Sequence, residues 1–255
     1  MSEPVRYESA GGVATLTMDH PANRNALTPA MLDGLGDGLA EARTDTSVRV
    51  VLLTHTGPAF CAGADLSARA GDAVRPRFPL PAVLSAMQDC PKPVIARIAG
   101  HCLGGGVGLA AACDLSVASE DARFGFTEVR VGVAPAIISV VVLPKMRRGD
   151  ALELFLTGER VEATRAAEAG LITRAVPAAA LDATVDLLVG AVMRGGPRAL
   201  GAAKRLVFSI PRMERPVAFD HTARISRDLF ESQEAAEGMA AFREKRQASW
   251  VPPSR

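Results

Sequence analysis

The sequence predicts an α/β protein, in which a core of alternating strands and helices precedes a helical C-terminal extension. Two near-continuous runs of β-branched and aliphatic residues, Val48–Thr54 and Pro93–Ile98, are typical of strands covered on both faces. After about residue 145 the apolar residues recur with helical periodicity. We therefore expect an α/β core over residues 1–195 and a helical region over residues 196–255.

The N-terminal part predicts a hairpin followed by a helix. Two alternating segments, Val5–Ser9 and Val13–Met18, flank a pair of glycines and are typical of a β-hairpin. Thr28 followed by Pro29 is typical of an N-cap and a first helical residue. Apolar residues follow at helical spacing, namely Met31, Leu32, Leu35 and Leu39.

The middle of the chain alternates between loops, helices and strands. A loop rich in Gly, Pro and Ala is predicted from Thr56 to Asp65, and a helix over residues 80–89. Three consecutive glycines beginning at Gly104 lead into an apolar helical segment. Strand character resumes at Asp114–Val117, and a further strand is predicted at Ala122–Phe126.

Helices dominate the last part of the chain. They are predicted at Asp150–Leu156, Glu162–Ala169, Ala178–Met193, Arg198–Val207, Phe219–Glu231 and Gln233–Ala248. The last two helices carry more apolar residues than a small tail can bury by itself, among them Leu229, Phe230, Met239 and Phe242. We expect this region to dock on the core or on another subunit.

Composition excludes several function classes. The net charge of +1 gives no field that would favour a polyanion, so nucleic-acid binding is not expected. The four cysteines form no CxxC pair and have no His at zinc-ligand spacing, so we expect free buried thiols and no metal site. The longest apolar run, Val131–Leu143, is too short to span a bilayer, and the first residues form no apolar signal segment. These features predict a soluble cytoplasmic protein.

Two glycine-containing loops, each following a predicted buried strand, carry the main functional signal. They are Phe60–Leu66 and Gly100–Gly108. The second loop opens a helix, whose first N–H groups have no intrahelical acceptor. Two such loops side by side would direct two N–H donors at one oxygen and stabilise developing negative charge. Glycines that merely permit tight packing are the alternative interpretation. Dinucleotide, P-loop and nucleophile-elbow motifs are absent from the sequence.

These two loops resemble the signature stretches of the crotonase superfamily, the enoyl-CoA hydratases and isomerases. The resemblance runs through most of the chain in order, at Pro21–Leu27, Phe60–Leu66, Gly100–Leu115, Ala122–Gly132, Leu156–Gly158, Ala167–Leu171 and Glu237–Arg246. It implies a crotonase-like spiral of ββα units with a C-terminal helical trimerisation region. It also implies a homotrimer or homohexamer that acts on an acyl-CoA substrate. Coenzyme A is then part of the substrate, and no separate cofactor is expected.

The resemblance also implies roles for particular residues. The N–H groups of Ala64 and Gly105 match the two donors of the family's oxyanion hole. The residues that match substrate-binding positions are Asn23, Arg24, Ala26, Ala62, Asp65, Leu66, Leu103, Gly104, Phe242 and Lys245. Phe242 and Lys245 match positions that contact the adenine end of CoA bound to a neighbouring subunit.

Acid–base chemistry has one visible candidate. Glu128 matches one of the two glutamates that hydratases of this family use, whereas Gly108 stands at the position of the other. A single glutamate is compatible with hydration of a 2-enoyl-CoA and with Δ3,Δ2-enoyl-CoA isomerisation. Loss of catalysis, leaving an acyl-CoA-binding protein, is a further alternative. Hydration is favoured because the run from Val131 to Ser139 resembles a branch of glutaconyl-type CoA hydratases that also carries glycine at this position.

Other polar residues are weaker candidates. His101 adjoins the glycine triplet, but a lone His beside a turn is more often structural. Asp65 could orient the first loop or contact CoA, and Arg24 could contact CoA phosphates. Asp114, at the start of a strand, is expected to cap backbone N–H groups.

Overall fold

The computed structural model describes residues 3–65 and 74–252. Its strands are β1 (Val5–Ala10), β2 (Val13–Met18), β3 (Val50–His55), β4 (Ala59–Cys61), β5 (Val94–Ile98), β6 (His101–Leu103), β7 (Leu115–Ser119), β8 (Arg123–Gly125), β9 (Arg160–Glu162) and β10 (Arg174–Val176). Its helices are α1 (Pro29–Thr44), α2 (Leu80–Asp89), α3 (Gly105–Ala112), α4 (Ala136–Val142), α5 (Arg148–Thr157), α6 (Ala163–Glu168), α7 (Leu181–Met193), α8 (Pro197–Ser209), α9 (Arg215–Phe230) and α10 (Gln233–Glu244).

A six-stranded sheet, in the order β1-β2-β3-β5-β7-β10, forms the larger layer. The predicted hairpin pairs β1 with β2 antiparallel, around Gly11 and Gly12 at positive φ. The remaining neighbours in this sheet are parallel, as the two buried apolar runs predicted.

A second sheet has four strands in the order β4-β6-β8-β9, and its strands alternate along the chain with those of the first sheet. The chain crosses from the large sheet to the small one three times, β3 to β4, β5 to β6 and β7 to β8, and after each crossing it enters a helix. This repeat confirms the predicted spiral of ββα units. Strands β4 and β6 pair in parallel, so the two glycine loops leave neighbouring strands at the same end.

The first helix begins as the sequence predicted. The Thr28 hydroxyl accepts a hydrogen bond from Met31 N at 3.2 Å, and Pro29 occupies the first turn. Met31, Leu35 and Leu39 are buried in the main core.

Several short elements were missed by sequence reasoning. The predicted loop from Thr56 to Asp65 contains β4, and β6, β9 and β10 were likewise not predicted. Each of these strands has three residues, which is too short to display a period of two. The apolar run from Val131 to Leu143 contains the helix α4, with Pro135 at its N-cap. The last helix is shorter than predicted because Lys245 adopts a left-handed conformation and ends it.

A buried lysine and a partly buried arginine connect the C-terminal helices to the core. Lys204 on α8 donates to Met87 O and pairs with Asp114 Oδ2, both at 2.8 Å. Arg49 donates to Trp250 O at 2.6 Å and to Gly195 O at 2.7 Å. Docking on the core thus accounts for part of this region, whereas Phe230 and Phe242 stay largely exposed.

The four cysteines are free and buried, as predicted. Burial raises the pKa of the Cys61 and Cys113 thiols to about 12, so both remain protonated at neutral pH. Within the described ranges, no helix combines the length and apolar character required to cross a bilayer.

Candidate active site

The two glycine loops lie in direct contact, as their sequence pattern suggested. The loop at residues 62–65 leaves β4, and the loop at Gly104 leaves β6 and opens α3. Gly63 and Gly104 both adopt positive φ, at 93° and 51°, where a side chain would be strained. A Cβ on Gly63 would lie 3.3 Å from Gly105 N and 3.1 Å from Leu103 O. Glycine at these positions is therefore required for the close approach of the loops.

Two backbone donors at this contact have no acceptor within residues 3–65 and 74–252. They are the N–H groups of Ala64 and Gly105. Gly105 is the first residue of α3, so its N–H lacks an intrahelical partner. The first loop is held by the bond from Leu27 N to Gly63 O at 2.8 Å. This pair has the arrangement of an oxyanion hole, with the N-terminus of a buried helix behind one donor.

Glu128 lies beside these donors, on the short 3-10 turn Thr127–Val131. Its Oε1 would be 3.2 Å from a Cβ placed on Gly104. Its Oε2 is buried and has no hydrogen-bond partner among the described residues. Burial raises the pKa of this carboxyl above its ordinary value. A half-buried carboxyl with a raised pKa and an unpaired oxygen is the arrangement expected of a general acid or base.

One cavity of about 960 Å³ contains all three predicted catalytic positions. Ala64 and Gly105 lie on its wall with Glu128. The remaining wall is mainly apolar, with Leu27, Leu32, Leu80, Val133 and Ile138 among the lining residues. A concave, largely apolar cavity with a few convergent polar groups is typical of a small-molecule site.

The predicted CoA-binding loop is joined to the first glycine loop. Ala62 N donates to Arg24 O at 3.0 Å, which places Asn23, Arg24 and Ala26 next to Ala62. Arg24 adopts a left-handed conformation, and its side chain is exposed. Sequence reasoning did not single out Asn25, which is fully buried.

Asn25 holds this loop in place with three hydrogen bonds. Its Oδ1 accepts from His20 N at 2.8 Å, and its Nδ2 donates to Thr56 O at 3.0 Å and Ala59 O at 2.8 Å. A polar residue at a turn is ordinarily expected to be exposed, so local pattern gave no indication that Asn25 is buried. Its place inside the matched stretch Pro21–Leu27 was the one feature that could have pointed to it.

The other predicted binding residues fall in three groups. Leu103 and Gly104 precede α3, and Gly104 lines the cavity. Asp65 is half-buried at the end of the first loop, whereas Leu66 lies outside the described residues. Phe242 and Lys245 are exposed at the end of α10 and do not line the cavity of the single chain. Their predicted contact with a neighbouring subunit's ligand stays a prediction.

Two weaker candidates have structural contacts. His101 is exposed on β6, and its Nδ1 accepts a hydrogen bond from Arg123 N at 3.3 Å. Asp114 Oδ2 accepts from Val94 N at 2.7 Å, which confirms its predicted role in capping backbone. Burial raises the pKa of the Asp114 carboxyl despite its pairing with Lys204.

The position that matches the family's second glutamate is Gly108, which carries no acid. A Cβ on Gly108 would lie 2.9 Å from Ile138 Cβ, so Ile138 of α4 fills the space that a side chain would enter. Among the described residues, Glu128 is the one carboxylate on the cavity wall. The described part of the cavity wall therefore combines one carboxylate with two backbone donors.

Comparisons with known proteins agree with this geometry. The sequence model of the family described as enoyl-CoA hydratase/isomerase matches residues 8–252. The 2,3-dehydroadipyl-CoA hydratase of Escherichia coli strain K12 is 34% identical over 244 residues, which is 92% of this chain and 93% of that protein. The enoyl-CoA isomerase/hydratase fer4 of Mycosarcoma maydis is 32% identical, over 96% of this chain and 94% of that protein.

Solved structures show the same fold. The crystal structure of an enoyl-CoA hydratase of Mycobacterium smegmatis superposes with a TM-score of 0.90 at 33% identity, covering 98% of this chain and 99% of that one. The family match spans nearly the whole chain and includes both glycine loops and Glu128. The chain therefore belongs to the enoyl-CoA hydratase/isomerase family of the crotonase superfamily.

Proposed function

We propose that the protein is an enoyl-CoA hydratase that adds water across the double bond of a 2-enoyl-CoA. The observation that carries this proposal is the half-buried Glu128 carboxyl beside the free N–H groups of Ala64 and Gly105 in one cavity. A thioester oxygen between those donors would gain stabilisation as negative charge develops on it. The reaction requires no separate cofactor, since coenzyme A is part of the substrate.

In the proposed mechanism Glu128 acts first as a base and then as an acid. The carboxylate takes a proton from water, whose oxygen forms a bond to Cβ while the π electrons move to the thioester oxygen. The resulting enolate is held by the Ala64 and Gly105 N–H groups. Glu128 then returns the proton to Cα, and the product is a 3-hydroxyacyl-CoA. A raised pKa suits this double role because the group must both accept and release a proton.

The proposed CoA path runs along Asn23–Ala26 and residues 62–65. The unpaired N–H groups of Ala64 and Gly105 and the apolar cavity wall are consistent with an extended ligand that enters the cavity beside the first glycine loop. We also propose a homotrimer or homohexamer, in which Phe242 and Lys245 contact CoA bound to a neighbouring subunit. Their exposure at the end of α10 and the apolar side chains left exposed on α9 support this assembly. The molar mass in solution, measured by light scattering, tests it.

Glu128→Gln tests the proposed chemistry. The variant keeps the shape of the side chain but has no basic oxygen, so we expect kcat/KM to fall by roughly 10²–10⁴-fold. Loss of the conjugated enoyl thioester chromophore measures the reaction with short straight and branched 2-enoyl-CoAs. Glu168→Gln, an exposed position at the end of α6, is the matched control. Absence of turnover by the unmodified protein across this panel would exclude hydration.

Isomerisation is a second candidate, favoured by one observation. The space beside Gly108 is occupied by Ile138, so the position of the second glutamate of the family's hydratases is closed to an acid. In an isomerase, Glu128 would take a proton from C2 of a 3-enoyl-CoA and return it at C4, leaving a 2-enoyl-CoA. A 3-enoyl-CoA and a 2-enoyl-CoA, each supplied in ¹⁸O-labelled water, separate the two reactions. Conversion of the 3-enoyl-CoA to an unlabelled conjugated ester identifies isomerisation, whereas labelled 3-hydroxyacyl-CoA formed from the 2-enoyl-CoA identifies hydration.

The remaining alternative is an acyl-CoA-binding protein without catalysis. The preserved donor pair and the raised pKa of Glu128 argue against it. Tight binding of acyl-CoA, with no turnover before or after the Glu128→Gln substitution, would establish that alternative.

A further inference from the structure

The cavity wall carries two cationic side chains that the proposed mechanism does not use. Among the described lining residues, the ionisable ones are Glu128, Arg130 and Arg160. Arg130 belongs to the turn that also carries Glu128, and Arg160 belongs to β9. The two arginines therefore converge on the cavity from different elements.

Glycines make room for both arginine stems. Arg130 lies against Gly158, where an added Cβ would be 3.1 Å from Arg130 Cγ, and its Nε donates to Thr157 O at 3.3 Å. Arg160 pairs with Gly125 across β8 and β9, and a Cβ on Gly125 would lie 3.2 Å from Arg160 Cγ. The backbone thus positions the stems while the terminal N–H groups stay available to a ligand.

Neither guanidinium has an acidic partner in the described part of the chain. Within the described ranges, Arg130 and Arg160 make no ion pair, and neither reaches the Glu128 carboxylate. Glu162, the acid on the same strand as Arg160, is paired with Arg123 at 2.6 Å. Two unpaired guanidinium groups at one cavity attract an anion, and their planar geometry suits a carboxylate.

The position of these arginines indicates which part of a ligand they meet. In the proposed complex the Ala64 and Gly105 N–H groups hold the thioester oxygen, and CoA follows the two loops that are joined by the hydrogen bond from Ala62 N to Arg24 O. Arg130 and Arg160 lie on the wall that carries Glu128, together with apolar residues such as Val133 and Ile137. An acyl group that extends from the thioester past Glu128 would run along this part of the wall, which holds both the apolar side chains and the two cations.

We propose that Arg130 and Arg160 recognise a carboxylate at the far end of the acyl group, so that the preferred substrate is a 2-enoyl-CoA with a terminal carboxylate. This inference rests on the proposed function, since it assigns the substrate class of the same site. A second source of negative charge is CoA itself, whose phosphates the arginines would meet if the ligand lay in the opposite direction. The experiment separates the two.

The test compares substrates of equal length that differ only at the acyl end. Hex-2-enoyl-CoA and hex-2-enedioyl-CoA form one pair, and pent-2-enoyl-CoA and glutaconyl-CoA form another. The ratio of kcat/KM for the carboxylated over the uncharged substrate is measured for the unmodified protein and for Arg130→Met, Arg160→Met and the double variant. Arg174→Met, on β10 at the far edge of the large sheet, removes a charge away from the cavity and is the control.

We expect the ratio to exceed unity in the unmodified protein and in the Arg174→Met control. It should fall by roughly tenfold in each single cavity variant, because each loses a charge-assisted hydrogen bond. Arg130→Lys, which keeps the charge, should retain part of the preference. A ratio unaffected by the cavity variants would overturn the proposal. An equal fall in kcat/KM for the carboxylated and the uncharged substrate, together with weaker binding of free CoA, would also overturn the proposal. That result would show that the arginines contact the CoA phosphates.

A binding measurement keeps this inference separate from the proposed reaction. Adipyl-CoA and hexanoyl-CoA are saturated, so titration calorimetry compares their affinities without turnover. Tighter binding of adipyl-CoA that is lost in the double variant supports carboxylate recognition even if no enoyl-CoA is hydrated. Turnover of uncharged substrates without any preference for the carboxylated esters would reject the carboxylate and leave hydration intact.

Discussion

At the scale of single residues, the burial of Glu128 costs stability and favours the acid–base role that is proposed for it. Its Oε2 is buried without a partner among the described residues, and burial raises the pKa of the carboxyl. An unpaired buried oxygen costs free energy that a surface glutamate would not lose. The same burial brings the pKa towards the range in which a group both accepts and donates protons. The residue is therefore expected to weaken the fold where it is ionised.

We predict that Glu128→Gln raises Tm near neutral pH. Because the pKa is higher in the folded protein than in the unfolded chain, folding favours the protonated carboxyl. The stability that this group contributes therefore falls as pH rises from its ordinary 4.5 through the folded pKa. The gain in Tm should shrink as pH is lowered through this window. Thermal unfolding of both proteins across pH, with Glu168→Gln as the control, checks it.

The pH dependence of activity in the unmodified protein should reflect the ionisation of the Glu128 carboxyl. In the proposed mechanism Glu128 acts as a base only when it is ionised, so kcat/KM should decline on the acid side with a midpoint above 4.5. A pH profile with its midpoint at the ordinary value of a glutamate would contradict the assigned role. A Gln variant less stable than the parent at neutral pH would contradict the stated cost of burial.

At the scale of elements, the contact between α3 and α4 decides how many acids the site holds. α3 is buried along its whole length, and Gly108 on it faces Ile138 of α4. The missing side chain at Gly108 thus allows α4 to pack directly on the helix that supports Gly105. A carboxylate at Gly108 and a large apolar residue at Ile138 are mutually exclusive in this arrangement.

We predict that Gly108→Glu is strongly destabilising by itself and is partly rescued by a second change. Overpacking against Ile138 should cost about 1–3 kcal/mol or more. Ile138→Ala alone should cost about 2–5 kcal/mol through the cavity that it leaves. In the double variant the new glutamate side chain enters that cavity. The loss of unfolding free energy in the double variant should therefore be smaller than the sum of the losses in the two single variants. Urea unfolding of the four proteins provides the comparison, and strictly additive losses would show that the residues do not compete for one space.

At the scale of the whole molecule, the C-terminal helices depend on buried charges for their attachment. The amine of Lys204 bridges α8 to Asp114 at the start of β7 and to Met87 O at the end of α2. Asp114 in turn accepts from Val94 N at the start of β5. This network connects the C-terminal region to the strand that precedes the second glycine loop. Its loss should therefore affect more than the local helix.

We predict that Lys204→Met destabilises the protein by about 3–5 kcal/mol, because it leaves the Asp114 charge buried without its partner. Lys204→Met combined with Asp114→Asn removes both charges and keeps an acceptor for Val94 N, so it should cost less than Lys204→Met alone. Chemical denaturation checks the order of the three proteins. A double variant less stable than Lys204→Met would contradict the argument.

Much of this fold follows from local patterns. Two continuous apolar runs identified the central strands β3 and β5, and Thr28 with Pro29 identified the start of α1. The glycine loops were recognisable because positive φ and close backbone contact demand glycine. Strands of three residues, such as β4 and β6, were not recognised, since their pairing depends on distant partners and their length shows no period.

The sequence by itself determined the alternation of strands and helices, the glycines of the donor loops and the candidacy of Glu128 through its matched motif. Only the tertiary structure decided that Ile138 closes the space beside Gly108, that Glu128 is partly buried, and that Arg130 and Arg160 share a cavity. The physical reason is that local patterns report backbone preference and average burial. Which residues line a site depends on which side chains from separate elements reach the same space, and tertiary packing decides this.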